Sequence, residues 1–219
     1  GAGNANAGDA GGVGSVCSDL YKGRGYTIAY SGNYQGDAFD IQFVAHEMGH
    51  QLGARHTFTY KTETGTGAQM EPGSGSTIMS YGGATVKDYQ DHKDAYFHAI
   101  SIQQVTDLVK TKSCPVVIST TNAVPVVNSG LDYTIPKGTP FMLTGSATDA
   151  NTDDVLTYSW EEMDLGTATT TVPTDTNTAG PLFRSYFPST SPSRYFPAMT
   201  TVLAGLSSTP GLYIPSEAL

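Results

Sequence analysis

Apolar residues recur at Ile41, Val44, Ala45, Met48 and Leu52, a set that falls on one side of a 3.6-residue wheel and predicts a helix from Ala38 to Leu52. Asp37 is placed to cap its start, and Asp40 adds negative charge where the helix dipole favours it. Gly53 supplies the residue past the last turn that ends the helix. A second helix is predicted from Ile102 to Lys110, with Ser101 and Gln104 spaced as a capping box. Two short runs, Gly12 to Cys17 and Tyr26 to Ser31, carry strand composition, and Gly32 to Gly36 reads as a turn. Residues 1–11 read as a loop or frayed start, and residues 57–94, dominated by Gly, Thr, Ser and Asp, as irregular chain.

The later part of the chain reads as β. Phe141 to Thr144 and Leu156 to Trp160 carry strand composition, and Thr148 to Asp154 between them is a turn. Past Gly166 a Thr-, Pro- and Ser-rich stretch with scattered aromatics (Phe183, Tyr186, Phe187, Tyr195, Phe196) assigns no elements. Together the patterns predict an α+β chain without internal repeats.

Composition sharpens this division. The 219 residues leave room for one medium domain or two small ones, at roughly 100–200 residues per domain. Residues 1–113 hold eight basic and eleven acidic side chains, against three and nine in residues 114–219, and all five His fall in the first part. A boundary is therefore expected near Cys114-Pro115, with residues 116–127 as linker and first strand. The net charge of −9, with no Lys/Arg run, lacks the footprint that binding a phosphate backbone needs and speaks against a nucleic-acid partner. No apolar run approaches the roughly 20 residues that span a bilayer. Oligomeric state leaves no mark on the sequence.

Candidate chemistry concentrates in His46-Glu47-Met48-Gly49-His50-Gln51-Leu52-Gly53-Ala54-Arg55-His56. On a helix His46 and His50 lie one turn apart, about 40° apart on the wheel. They are expected opposite the Ile41/Val44/Met48/Leu52 face, turned towards a cleft. Glu47 lies beside them without being placed as a ligand, and Gly53 lets the chain reverse so that His56 returns as a third ligand. Three imidazoles leave a fourth position open, the mark of a catalytic rather than a structural zinc site. Five fixed positions of this kind coincide by chance on the order of once in 10⁷ starts.

This segment resembles the metzincin zinc signature H-E-x-x-H-x-x-G-x-x-H, and Ser76-Thr77-Ile78-Met79-Ser80-Tyr81 resembles the family's Met-turn. Within metzincins the likeness is to secreted bacterial proteases of the reprolysin type, whose edge strand Gly12 to Cys17 resembles. The resemblance implies that Zn2+ is bound by His46, His50 and His56. It implies that Glu47 is the general base acting on a zinc-bound water, and that Met79 is a floor under the imidazoles. It also implies that Gly12, Val13, Gly14, Ser15 and Val16 pair with a polypeptide substrate in extended conformation. Tyr81 stands where astacins and serralysins have a Tyr that binds zinc or steadies an oxyanion, and where typical reprolysins do not; a catalytic and a structural Tyr81 both stay open. Gly82, Gly83 and Ala84 would wall the pocket for the first residue after the cut.

The family commonly ties together the places of Cys17 and Cys114, which implies a disulfide and an oxidising, extracellular setting; two buried thiols are the other reading. Calcium is weakly signalled by the Asp88–Asp94 run and by Asp149, Asn151 and Asp153, whose turn resembles that of Ig-like or PKD-like modules. A whole metzincin domain has more chain before its edge strand, so residues 1–113 are expected to be its zinc-bearing part and residues 114–219 part of a β-sandwich module. The leading expectation is a secreted zinc endopeptidase; the alternative is a non-catalytic fragment or surface-binding module with an incomplete zinc site.

Overall fold

The start of the chain is organised by pairing rather than by composition. In the computed structural model, which describes residues 7–28, 34–61, 65–167, 169, 172–209 and 211–213, strand β1 (Ala7–Asp9) pairs antiparallel with β2 (Tyr26–Ile28), Gly8 opposite Thr27. The strand expected to Ser31 is thus present as far as Ile28; residues 29–33 lie outside the described ones.

The principal helical segment runs as α1 (Asp37–Phe39), a π-helical stretch Asp40–Ala45, and α2 (His46–Gln51). Its cap is Gly36, whose carbonyl accepts the N–H groups of Phe39 and Asp40, and Asp37 is the first helical residue instead of the cap. Each π turn closes over one residue more than an α turn, so the apolar phase slips along the segment. Ile41 and Ala45 pack on the cluster of Ala54, Ile78 and Met79, while Met48 is 55% exposed. The buried positions of α2 are His46, Gly49 and His50. The histidines therefore lie on the buried side of the helix, not opposite it as a uniform 3.6-residue wheel predicts.

Gly12 to Cys17 does not form the predicted strand. Gly12 (φ 135°), Gly14 (φ 71°) and Cys17 (φ 67°) turn the chain, and the N–H groups of Gly14 and Val16 donate to the carbonyls of His50 (2.8 Å) and Gln51 (3.0 Å). These are last-turn carbonyls of α2, beyond the reach of its own N–H ladder, and that of His50 accepts the Gly53 N–H as well. The segment is a clasp on the helix end, and the glycines that suggested an edge strand serve the turns.

Helix α3 (Ala99–Lys110) starts three residues before the predicted Ile102. Its cap is His98, whose Nδ1 accepts the Ile100 N–H at 3.2 Å, so the Ser101/Gln104 box is not used. Gln104 instead accepts the Arg55 N–H through Oε1 at 2.9 Å.

In the later part, β3 (Val126–Asn128) pairs with β5 (Ser146–Thr148) and β4 (Phe141–Thr144) with β6 (Ser193–Phe196). Helix α4 (Met199–Leu203) and the pair β7 (Ser208–Thr209) and β8 (Leu212–Tyr213) follow. All the sheets among the described residues are two-stranded and antiparallel. The strand predicted at Leu156–Trp160 is reduced to one bridge, in which Tyr158 and Ser189 exchange N–H bonds at 2.7 and 3.0 Å. Phe196 is the buried centre of a cluster with Phe141, Leu143, Trp160 and Phe183.

The two parts of the chain share hydrogen bonds. Thr169 bridges Tyr60, donating to Thr59 O (2.9 Å) and accepting from Lys61 N (2.6 Å), and Gly166 donates to Gln69 O (2.8 Å). Between them, every residue from Glu71 to Ser80 is buried, although only Ile78 and Met79 are large apolar residues. No helix among the described residues is long and apolar enough to cross a membrane.

Candidate metal centre

Helix α2 presents His46 and His50 one turn apart, and the Gly53 reversal (φ 103°) returns His56 beside them. His56 Nε2 lies 3.2 Å from His46 Nε2 and 2.9 Å from His50 Nε2. The Nδ1 atoms are engaged elsewhere: that of His46 lies 2.7 Å from Ile78 O, and that of His50 lies 2.8 Å from Ala54 O. A carbonyl only accepts, so each Nδ1 carries the proton and each Nε2 of this pair presents a lone pair to the centre. Converging lone pairs repel unless a cation lies among them. Tetrahedral zinc, with N at roughly 2.0–2.1 Å, needs ligand nitrogens about 3.3 Å apart. The donor set, tautomers and spacing fit zinc, and among the described residues this is the one group of three or more ligating side chains able to hold a metal.

The electrostatics agree. Burial holds the His46 pKa well below the ordinary imidazole value, and the nearby Lys93 and the other two imidazoles push the same way. His46 is thus neutral, as a ligand must be. Lys93 Nζ lies 3.1 Å from His46 Nδ1 and donates to Gln42 O at 2.8 Å; burial pulls its pKa down to about 7 against the opposing pull of Glu47. Nothing in the sequence pointed to Lys93, because a lysine in a polar loop reads as solvated.

Glu47 is half-buried next to this set. Burial raises its pKa, Asp9 adds to the rise, and Lys93, His56 and the Ala10 N–H oppose it. A Cβ on Gly8 would overlap the Glu47 carboxyl group, so the backbone of β1 passes directly over that carboxylate. The strand that passes the centre is therefore Ala7–Asp9, with β2 along one side. In Gly12 to Val16, expected in that role, the N–H groups of Gly14 and Val16 are bonded to the end of α2.

Met79 is wholly buried, and its side chain abuts Gly49, where any Cβ would meet its sulfur. The Ile78 carbonyl that orients His46 belongs to the same turn, and Met79 O accepts the Thr57 N–H at 3.3 Å, tying the turn to the residue after His56. The Tyr81 ring lies 4.6 Å from those of His56 and Phe58 and 5.9 Å from that of His46. Ala84 N closes a turn onto Tyr81 O, with Gly82 buried and Gly83 exposed. Cys17 and Cys114 are joined by a disulfide across 97 positions of sequence.

The sites expected for calcium do not assemble. Asp88 accepts from Thr85 N and Oγ1. Asn151 accepts the Ala123 N–H and donates to Thr121 O, and Asp149 accepts the Asn151 N–H. Their polar atoms hold the chain itself. Besides Lys93, nothing in the sequence signalled Glu71, fully buried and bonded to Thr57 after His56 and to Thr77 before Ile78.

Compared with known proteins, residues 1–109 match Metallo-peptidase family M12B Reprolysin-like, a family of zinc peptidases. Neither the curated proteins nor the solved structures give a match.

Proposed function

We propose, from the reprolysin-like match over residues 1–109 and the three converging imidazoles, that this chain carries the centre of a zinc-dependent endopeptidase of metzincin type. Zinc held by His46, His50 and His56 would supply a Lewis acid that polarises the scissile carbonyl and acidifies water. Glu47 is the base: the helix sets it beside the first ligand, and its raised pKa makes it a better proton acceptor than an exposed carboxylate. It takes the proton from the attacking water and delivers it to the leaving amine. The convergence of the three Nε2 atoms next to Glu47 carries this reading.

The polypeptide substrate lies extended along the side of β1 away from β2, where main-chain bonding is independent of side-chain sequence. Tyr81, beside His56, offers its hydroxyl to the developing oxyanion, and Gly82, Gly83 and Ala84 wall the next subsite. Residues 1–113 form the catalytic unit and residues 114–219 an Ig/PKD-like β module. The Cys17–Cys114 bridge supports an extracellular setting, since such bonds persist where thiols are oxidised.

Zinc content per chain and cleavage of an unstructured protein, measured side by side for wild type and Glu47→Ala, test the proposal. The expected outcome is one zinc in both and a roughly 10²–10⁴-fold slower cleavage in the variant. Zinc-loaded wild type that cuts no faster than Glu47→Ala would end it.

A further inference from the structure

Glu71 is a carboxylate with no exposed surface and, among the described residues, no cationic hydrogen-bond partner. Its Oε1 accepts the N–H of Ser76 (2.8 Å), the N–H of Thr77 (3.1 Å) and the Ser76 hydroxyl (3.2 Å). Its Oε2 accepts the hydroxyls of Thr57 (2.5 Å) and Thr77 (2.7 Å). All five of these bonds are donated to it, and a carboxylate is the side chain that only accepts, with about four lone-pair sites to offer. Its own backbone joins the arrangement, Glu71 N donating to Thr57 O (2.8 Å) and Glu71 O accepting from Thr59 N (3.1 Å).

The donors are not scattered. Thr57 directly follows the ligand His56, and Thr77 directly precedes Ile78, whose carbonyl orients the ligand His46. One side chain thus grips, each at one residue's remove, the segment carrying the third imidazole and the carbonyl that sets the tautomer of the first. We infer that Glu71 is the positioning residue of the metal centre: it fixes His56 and the Ile78 carbonyl relative to one another, and so the distance between His46 and His56. This rests on reading the three histidines as a metal site. Gln in its place keeps the size but turns an N–H₂ towards hydrogen-bond donors, so at least one strap opens.

The test uses the full chain, with Zn2+ affinity from chelator competition, the visible spectrum of the Co2+ form, and thermal melting. Glu71→Gln is expected to weaken Zn2+ about 10–100-fold, the usual cost of losing an outer-shell partner, and to change the Co2+ bands. Phe196→Leu, a buried substitution in the separate aromatic cluster of Phe141, Leu143, Trp160 and Phe183, lowers the melting temperature and leaves affinity and spectrum alone. Thr57→Val, which removes a single strap, gives a smaller, several-fold loss; it decides the matter if Glu71→Gln does not fold. A folded Glu71→Gln or Thr57→Val chain with wild-type affinity and an unchanged Co2+ spectrum overturns the inference while the metal reading stands. Wild type that takes up neither metal overturns both.

Discussion

Two glycines do at single-residue scale what no other side chain could. Gly8 leaves room for the Glu47 carboxylate against the β1 backbone. Gly8→Ala is therefore expected to displace Glu47 and cut activity about 10²-fold, the scale of a 1 Å misplacement, with zinc content unchanged by metal analysis. At Gly49 two effects oppose. Alanine gains about 1 kcal/mol of helix propensity, but its methyl overlaps the Met79 sulfur and crowds Phe97, and overpacking costs about 1–3 kcal/mol. Melting of Gly49→Ala should show net destabilisation. The ligands were legible in the sequence because helix geometry makes His46 and His50 neighbours and Gly53 makes the reversal, all within eleven residues. Glu71 was not, because a glutamate beside Pro72 in a Gly/Ser run has the composition of a solvated loop. What buries it are donors at Thr57, Ser76 and Thr77, whose positions relative to it only the fold sets.

At the scale of elements, local pattern yields to partners distant in sequence and to a change of helical period. β1 has no strand composition and owes its form to β2. Gly12–Cys17 has some, but spends its N–H groups on α2. The π-helical Asp40–Ala45 changes the face that a single-period wheel assigns. Another element shows what such partnering costs. Glu162 accepts the N–H groups of Leu182 (2.7 Å) and Phe183 (2.6 Å) and so anchors that loop. Burial raises its pKa to about 7, the two N–H bonds oppose the rise, and Asp164 adds to it. Between about pH 4.5 and 7 the folded chain keeps a proton that the unfolded chain releases. Stability therefore falls as pH rises through this window, by on the order of 3 kcal/mol from this group. Glu162→Gln, neutral throughout, should flatten that decline in denaturant unfolding at pH 5 and pH 8; parallel pH profiles for the two proteins would refute the assignment.

At the scale of the whole molecule, bonds between residues up to about a hundred positions apart hold the chain together. The Cys17–Cys114 disulfide closes a loop whose entropy is worth up to about 4–5 kcal/mol. Replacing both cysteines by serine should lower the unfolding midpoint correspondingly, with zinc stoichiometry retained once folded. A second tie crosses the boundary expected near Cys114. The Ser76 hydroxyl approaches Ser185 O (3.4 Å), Ser185 Oγ donates to Glu161 Oε1 (2.5 Å), and Glu161 Oε2 accepts the first N–H of α3, from Ala99 (2.6 Å). These contacts converge on the buried run Glu71–Ser80, which is sealed by hydrogen bonds more than by hydrocarbon. Exposing apolar surface raises heat capacity and exposing polar surface lowers it, so opening this run releases the two contributions against each other. The free energy that keeps the run closed should then curve little with temperature. On cooling, when hydrophobic association weakens, the ground beneath the imidazoles would hold its shape after the aromatic cluster around Phe196 had begun to loosen.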